Sequence, residues 1–394
     1  SVQMTDYDLV IVGAGPAGLS LAARLAEAPL RIALVDKENR STLADPAYDG
    51  REIALTRASM ERMRTLGALQ LLSRGEVSPL LRAEVLDGGS PYVLSFADRR
   101  AVAPLGALVS NAAIRRTLFA RVAWQDNCDL FLGGPACIAG VDANAAHVRL
   151  AEGSTLTGRL VVAADTRFSA LRKSQGIGAR MVDFGRTMLV CRVGHAHPHQ
   201  GVATEWFDRG QTIAMLPLAG DQSSFVLTLD ARQMGHIETM TDAAFVREVE
   251  RRTQRRWGAI TLTSARHYYP LVAVYADQFF APRFALLGDA AVGMHPVTAH
   301  GFNFGLRGAF ALGEAILSSV RQSRDIGESA ALRRYERGHR RATLPLFAAT
   351  NAIAKLYSDD RGLARLARGA ALRLMHATPG ARRLVEASLG GEQA

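Results

Sequence analysis

Gly13, Gly15 and Gly18 sit between two short apolar runs, residues 9–12 and 32–35, and the second run ends in Asp36 and Lys37. These types and spacings suit a phosphate cradle. Glycine at 13 permits a tight turn, and glycine at 15 lets backbone amides approach a pyrophosphate. Glycine at 18 lets a helix starting near Ala17 pack against the preceding strand. Such a helix aims its positive N-terminal end at the phosphates, and Asp36 can accept hydrogen bonds from a ribose. Strand, turn, helix, strand and acid follow in order within thirty residues. The segment therefore reads as an adenine dinucleotide site rather than an ordinary glycine-rich turn.

Three distant segments decide between FAD and NAD. Asp49-Gly-Arg51 offers a guanidinium able to grip a phosphate bidentately. An apolar strand over 160–164 ends in Asp165. A second, over 284–287, ends in Gly288-Asp289, followed by His295, Pro296 and His300-Gly301-Phe302-Asn303. Residues 302–318 lack proline and carry helical apolar spacing. A helix starting there points free N–H groups at whatever lies before it.

With these segments, and with Asn111-Ala-Ala-Ile-Arg-Arg-Thr-Leu and Leu332-Arg-Arg-Tyr-Glu-Arg, the chain resembles the flavoprotein aromatic hydroxylases. More narrowly, it resembles those of ubiquinone biosynthesis, from residue 6 to about 341. The resemblance implies bound FAD. Gly13, Gly15, Ala17, Gly18, Asp36 and Lys37 would hold its ADP part, and Arg51 and Asn111 its middle. Asp289, through the Gly288-Asp289 turn, would lie near the ribityl chain or pyrophosphate, and Asp165 would also bind the cofactor. Pro296 and the backbone of Gly301, Phe302 and Asn303 would lie against the isoalloxazine ring, where a helix N-terminus favours the anionic reduced flavin. Three residues depart from the family pattern. Thr166 stands where glycine is usual, which would be costly if the backbone there needs positive φ. Asp289 stands where many quinone hydroxylases have asparagine, and His300 where they have glutamine.

The implied fold class is α/β (α+β mixed): a Rossmann-like FAD-binding domain interrupted by a β-sheet substrate domain, with C-terminal helices, in the aromatic-hydroxylase (glutathione-reductase-like) architecture. The expected boundaries are 4–74, 98–180 and 270–345 for the discontinuous FAD domain. Residues 75–97 and 181–269 form the substrate domain, and 346–394 a basic helical region. Strands are expected over 187–193, 202–207, 212–218 and 224–229, and a helix over 241–257. Trp206, Met215 and Pro217 are taken as the sheet wall of the substrate pocket.

The chain has 394 residues, 48% of them hydrophobic, enough for a large core and two substructures. Three cysteines in no paired spacing imply neither a disulfide framework nor a metal site, and read as small buried residues. No basic leader segment and no run of eighteen apolar residues occur, so a cytoplasmic protein is expected, with peripheral contact to the inner membrane. The net charge is +10, and residues 321–394 hold fourteen Lys and Arg against seven Asp and Glu. No nucleic-acid module accompanies that charge. Instead Arg361, Arg365 and Arg368 oppose Leu363, Leu366, Ala370 and Leu374 on one helical pattern, which suits either an anionic membrane or a surface helix.

The resemblance implies a monooxygenase. NADPH or NADH reduces the flavin, O2 adds to give a C4a-hydroperoxide, and one oxygen passes to the ring of a polyprenylated phenol or quinol. No second complete glycine fingerprint is present, so the nicotinamide is expected to bind transiently. His300 is the candidate catalytic base, with binding of the loop backbone as its alternative role. Three other readings stay open: a hydroxylase of a small soluble aromatic, a flavin halogenase, and a non-catalytic flavoprotein subunit of a quinone-biosynthesis complex. The halogenase signature of two closely spaced tryptophans is missing, since Trp124, Trp206 and Trp257 stand alone.

Overall fold

A computed structural model describes residues 4–88, 93–96, 104–208, 210–294 and 300–358. Its first sheet is built on the fingerprint. Five parallel strands run in the order Phe284–Leu286, Thr155–Ala163, Met4–Val12, Ile32–Asp36 and Cys128–Leu132. Strands covered on both faces need continuous apolar runs. Leu9, Val10, Ile11, Ile32, Ala33, Leu34, Leu160, Val161 and Val162 meet that need and are fully buried. Phe280–Ala281 extends one side, and the hairpin of Ala136–Val141 and Ala146–Leu150 attaches to Thr155–Ala163. Helix Pro16–Arg24 follows the first strand, with proline in its first turn, where no N–H is needed.

The second sheet has nine strands among the described residues. Its main path runs Val292–Gly293, His267–Ala276, Ala179–His195, Gln222–Asp230, Gln211–Pro217, Val202–Asp208, Arg82–Asp87 and Val93–Phe96. The four expected strands all occur, the first lengthened to seventeen residues. Both faces of this sheet are covered. Leu189, Cys191, Val193, Trp206, Ile213, Met215, Phe225 and Leu227 form an outer core with Met234 and Ile237 of helix Ala231–Glu238 and Phe245 and Val249 of helix Asp242–Arg252. Thr241 caps the latter by accepting a hydrogen bond from the Ala244 N–H, and the helix ends five residues short of Trp257. Met188, Val190 and Leu271, with Val226 and Tyr269, cluster on the inner face.

A third, three-stranded sheet joins Glu52–Thr56, Gly106–Ser110 and Ser78–Leu80. The strands within 75–97 thus divide: Ser78–Leu80 enters this small sheet, whereas Arg82–Asp87 and Val93–Phe96 extend the large one. Helices His300–Arg321 and Ser329–Ser358 close the described chain. Cys128 and Cys191 are buried as expected of small core residues, but Cys137 is exposed.

Candidate functional site

The fingerprint turn is held by close backbone approach. Gly13 has φ +119°, and a Cβ there would lie 2.1 Å from the Ala164 carbonyl oxygen; a Cβ on Gly18 would lie 2.0 Å from that of Gly13. Only glycine fits either place. By contrast, nothing lies within 4 Å of a Cβ built on Gly15, so the backbone is open on the side where a pyrophosphate must approach. Asp36 fixes this turn as well as facing it: its carboxylate accepts hydrogen bonds from the Ala14 N–H at 2.6 Å and the Glu38 N–H at 2.8 Å. Lys37 beside it is exposed.

Ala17 joins the first helix to the third flavin segment. A Cβ on Gly288 would come 2.8 Å from the Ala17 Cβ, and one on Gly305 would come within 3.6 Å of it. The Gly288-Asp289 turn and helix His300–Arg321 therefore close on the start of helix Pro16–Arg24. Asp289 lies 3.8 Å from Arg167 in an ion pair. Asp165 ends the neighbouring strand, and burial raises its carboxyl above the usual range against the pull of Ser169; its Oδ1 is buried with no hydrogen-bond partner. Thr166 follows without strain, since it is not among the non-glycine residues of positive φ.

Asp49 is the residue that sequence reasoning passed over. The Arg51 guanidinium donates to its carboxylate at 2.8 and 3.1 Å, and the Asn111 amide donates at 2.9 Å. Burial works against ionising Asp49, but Arg51 and Asn111 override it and hold the carboxyl below its ordinary range. The Tyr269 hydroxyl donates to the Asp49 carbonyl, and Arg51 lies over the Tyr269 ring at 5.6 Å. Tyr269 belongs to the inner face of the large sheet, so this cluster ties that sheet to the flavin segment. A second tie runs from Arg192 to Glu52 at 2.6 and 2.8 Å, with Tyr48 donating to the same carboxylate at 2.9 Å.

Helix His300–Arg321 begins at the flavin loop, as the motif requires. Phe302 is half-buried, and Asn303 donates from Nδ2 to the Ala54 carbonyl at 2.9 Å, pinning the helix start to strand Glu52–Thr56. Gly301 lies beside Met294. His300 supplies the first residue of the helix backbone; its side chain, like the whole of His295 and Pro296, lies outside the described residues.

The expected pocket wall needs correction. Trp206 and Met215 lie in the outer core against the two helices, away from the flavin segments. Pro217 shares the Met215 face by strand alternation. The inner face is made instead by their neighbours in the pleat. Pairing runs in a row from His267 through Val190, Val226 and Ala214 to Glu205. Sequence reasoning did not place Glu205, Ala214 and Val226 on this face.

The arrangement fits FAD. It offers two glycines packed on backbone, an open third, an acid at the end of the second strand that holds the turn's amides, an unsatisfied buried carboxylate oxygen, and a helix start packed on the first helix. The FAD binding domain family model matches residues 6–344. Ubiquinone hydroxylase UbiM of Neisseria meningitidis is 40% identical over 389 residues, spanning 98% of this chain and 84% of that protein. Ubiquinone hydroxylase UbiL of Rhodospirillum rubrum is 35% identical over 361 residues, spanning 92% and 84%. The probable FAD-dependent monooxygenase PqsL of Pseudomonas aeruginosa superposes with a TM-score of 0.77 at 22% identity, over 90% of this chain and 97% of that one. The chain belongs to the FAD binding domain family and, within it, to the flavoprotein hydroxylases.

Proposed function

We propose that this flavoprotein hydroxylates the aromatic ring of a polyprenylated phenol or quinol in ubiquinone biosynthesis. The observation that carries the substrate class is the inner sheet face. Its accessible part is apolar and aromatic: Val226 and Tyr269 are partly exposed over the buried Met188, Val190 and Leu271, and Tyr269 meets the Asp49 carbonyl of the flavin segment, so the face suits an apolar molecule. The relatives named as ubiquinone hydroxylases support the same reading. One molecule each of NAD(P)H, O2 and a proton is consumed. One oxygen atom enters the ring, and the other leaves as water. FAD, when bound, supplies the activation of O2. The chain's own residues do the rest: Arg51 and Asn111, set by Asp49, hold the cofactor's middle, and the apolar inner face keeps water from the reacting centre.

A small acidic aromatic is the competing substrate, and it would need an arginine free to meet its carboxylate. A cavity of about 430 Å³ contains Arg116 and Arg192, but each is already paired, with Glu76 at 2.7 Å and with Glu52 at 2.6 Å. That cavity offers an acidic substrate no uncommitted cation. Peripheral contact with an anionic membrane belongs to the same proposal, because a polyprenylated substrate dissolves in the bilayer. No described helix is long and apolar enough to cross one.

The test is turnover of a short-chain prenylphenol by the purified, FAD-loaded protein with NADPH or NADH under labelled O2. Incorporation of one labelled oxygen per ring is the expected result. Cofactor oxidation that yields only H2O2 with every prenylphenol tried would refute the reading.

A further inference from the structure

Glu205 has no structural partner in a place where a carboxylate needs one. It lies in the middle of strand Val202–Asp208, which pairs with Gln211–Pro217 on one side and Arg82–Asp87 on the other, so it is not at a solvated edge. Its sequence neighbour Trp206 fills the outer core, and its row partners Val190 and Val226 belong to the inner cluster. Alternation along the strand therefore places Glu205 on the inner face, the face on which Tyr269 and Arg192 meet Asp49 and Glu52. The rest of its row is Val85, Ala214, Val226 and Val190, with His267 four strands away.

Among the described residues, no hydrogen bond or ion pair reaches Glu205. Burial alone pushes its carboxyl up to about 7, and no neighbouring charge contributes. Yet the residue keeps some accessible surface. The other ionisable groups on the inner face are distant or committed. Arg192 is held by Glu52, Tyr269 by Asp49, and His267 packs on Tyr48; Arg186, two residues before Met188 on the same face, donates to the Gly210 carbonyl and has further interactions of its own. Asp87, on the adjacent strand, has its own interactions and pairs in register with Phe207. Helix Ser329–Ser358 also packs on this strand, and the one Lys or Arg of its last fifteen residues, Lys355, is exposed. An unpartnered carboxyl in an apolar row is costly to the fold. It is retained where a ligand supplies the missing partner.

We propose that Glu205 receives the proton of the substrate's ring hydroxyl, holding the phenol in its more nucleophilic form while a ring carbon takes up oxygen. The proposal rests on the hydroxylase reading above. The phenol O–H bond breaks, the proton passes to a Glu205 carboxylate oxygen, and the electron pair left behind delocalises into the ring. That raises electron density at the carbons ortho and para to the oxygen. After an OH group has bonded to one of them, the hydrogen on that carbon leaves as a proton, and Glu205 returns its proton to the ring oxygen. A free glutamate, near pH 4.3, is poorly matched to a phenol near 10. Burial narrows that gap by roughly half, which general-base transfer requires.

The experiment compares wild type, Glu205→Gln and His300→Gln, each FAD-loaded, using a short-chain prenylphenol as probe. Product formation by wild type should rise with pH through about 7, as the carboxyl ionises. Glu205→Gln should keep its FAD, lose that limb, lose product about a hundredfold or more, and divert NAD(P)H oxidation to H2O2. His300→Gln should retain the limb. Thermal midpoints give a second readout, free of activity. The folded carboxyl sits above its unfolded value, so native wild type binds this proton more tightly. Its contribution to stability is full at low pH and is lost as pH rises from about 4.3 through about 7. Glu205→Gln should flatten this component and melt above wild type at pH 8. If Glu205→Gln keeps both the limb and the product yield, the proposal is overturned while the hydroxylase reading stands. If wild type hydroxylates no prenylphenol, both fail, whatever the melting curves show.

Discussion

Asp49 ties together side chains that chain order holds far apart. Arg51 is two residues away, Asn111 is 62 away and Tyr269 is 220 away, and all three meet at one residue. Asp49→Ala should leave Arg51 without its main partner and free Asn111 to turn. Loss of a charge-assisted hydrogen bond costs roughly 1.5–3 kcal/mol, so FAD should bind about ten- to a hundredfold more weakly. Fluorescence titration of the apoprotein with FAD measures this, and an unchanged dissociation constant would remove Asp49 from the site. The direct effect of Asp36→Ala should be of similar size, because its carboxylate holds the Ala14 and Glu38 amides of the turn. The two residues differ in how they could be read. Asp36 ends a strand at a fixed distance from three glycines, and that local pattern carries its role. Asp49 is equally visible beside Arg51, but its role depends on contacts that close only when the sheets come together. Glu205 is harder still. A lone glutamate in a strand reads as a solvated position, and only the pleat shows otherwise.

At the scale of elements, the strands of the large sheet show why their existence was readable and their facing was not. Polar and apolar residues alternate cleanly only when one face meets water. Here helices cover the outer face, and the inner one meets residues 48–52 through His267, Tyr269 and Arg192, so Trp206, Met215 and Val226 are equally apolar and give no parity signal. A one-residue error then exchanges every side chain between faces. The corrected facing has separable consequences. Met215→Ala removes volume from the outer core and should cost about 2–5 kcal/mol of stability, with the Michaelis constant for the prenylphenol close to wild type. Ala214→Phe projects bulk into the cleft and should raise that Michaelis constant at least several-fold while FAD content holds. Denaturant melts and steady-state kinetics on the two variants check this; the opposite assignment of effects would return Met215 to the pocket wall. The fingerprint helix allows no such ambiguity. A side chain at Gly18 must displace the Gly13 carbonyl, and Gly18→Val should abolish FAD retention.

At the scale of the whole molecule, charge and the proposed substrate point in the same direction. A polyprenylated phenol resides in the bilayer, and the enzyme that hydroxylates it must reach the membrane surface. Seven of the ten excess positive charges fall in residues 321–394. The fold carries helix Ser329–Ser358 onto strand Val202–Asp208, the strand that bears Glu205. The basic end of the chain is therefore joined to an element that packs on the substrate sheet. The pattern of Arg361, Arg365 and Arg368 opposite Leu363, Leu366 and Leu374 lies outside the described residues, and its role is a prediction from sequence. Each arginine near an anionic surface contributes about 1 kcal/mol, and salt screens that attraction over about 8–10 Å. Docking should then be weak, reversible and sensitive to salt. Wild type should co-sediment with vesicles of mixed phosphatidylglycerol and phosphatidylcholine at low salt, and be released at high salt. Replacing the three arginines by glutamine should lower binding by up to a hundredfold, since about 3 kcal/mol is at stake, with FAD content unchanged. The same variant should keep its turnover of a detergent-dissolved prenylphenol and lose turnover of one presented in vesicles. If wild type ignores anionic vesicles at low salt, the basic end does not bring the enzyme to its substrate. Delivery by a partner protein then becomes the better account of how a bilayer-dissolved phenol reaches the cleft.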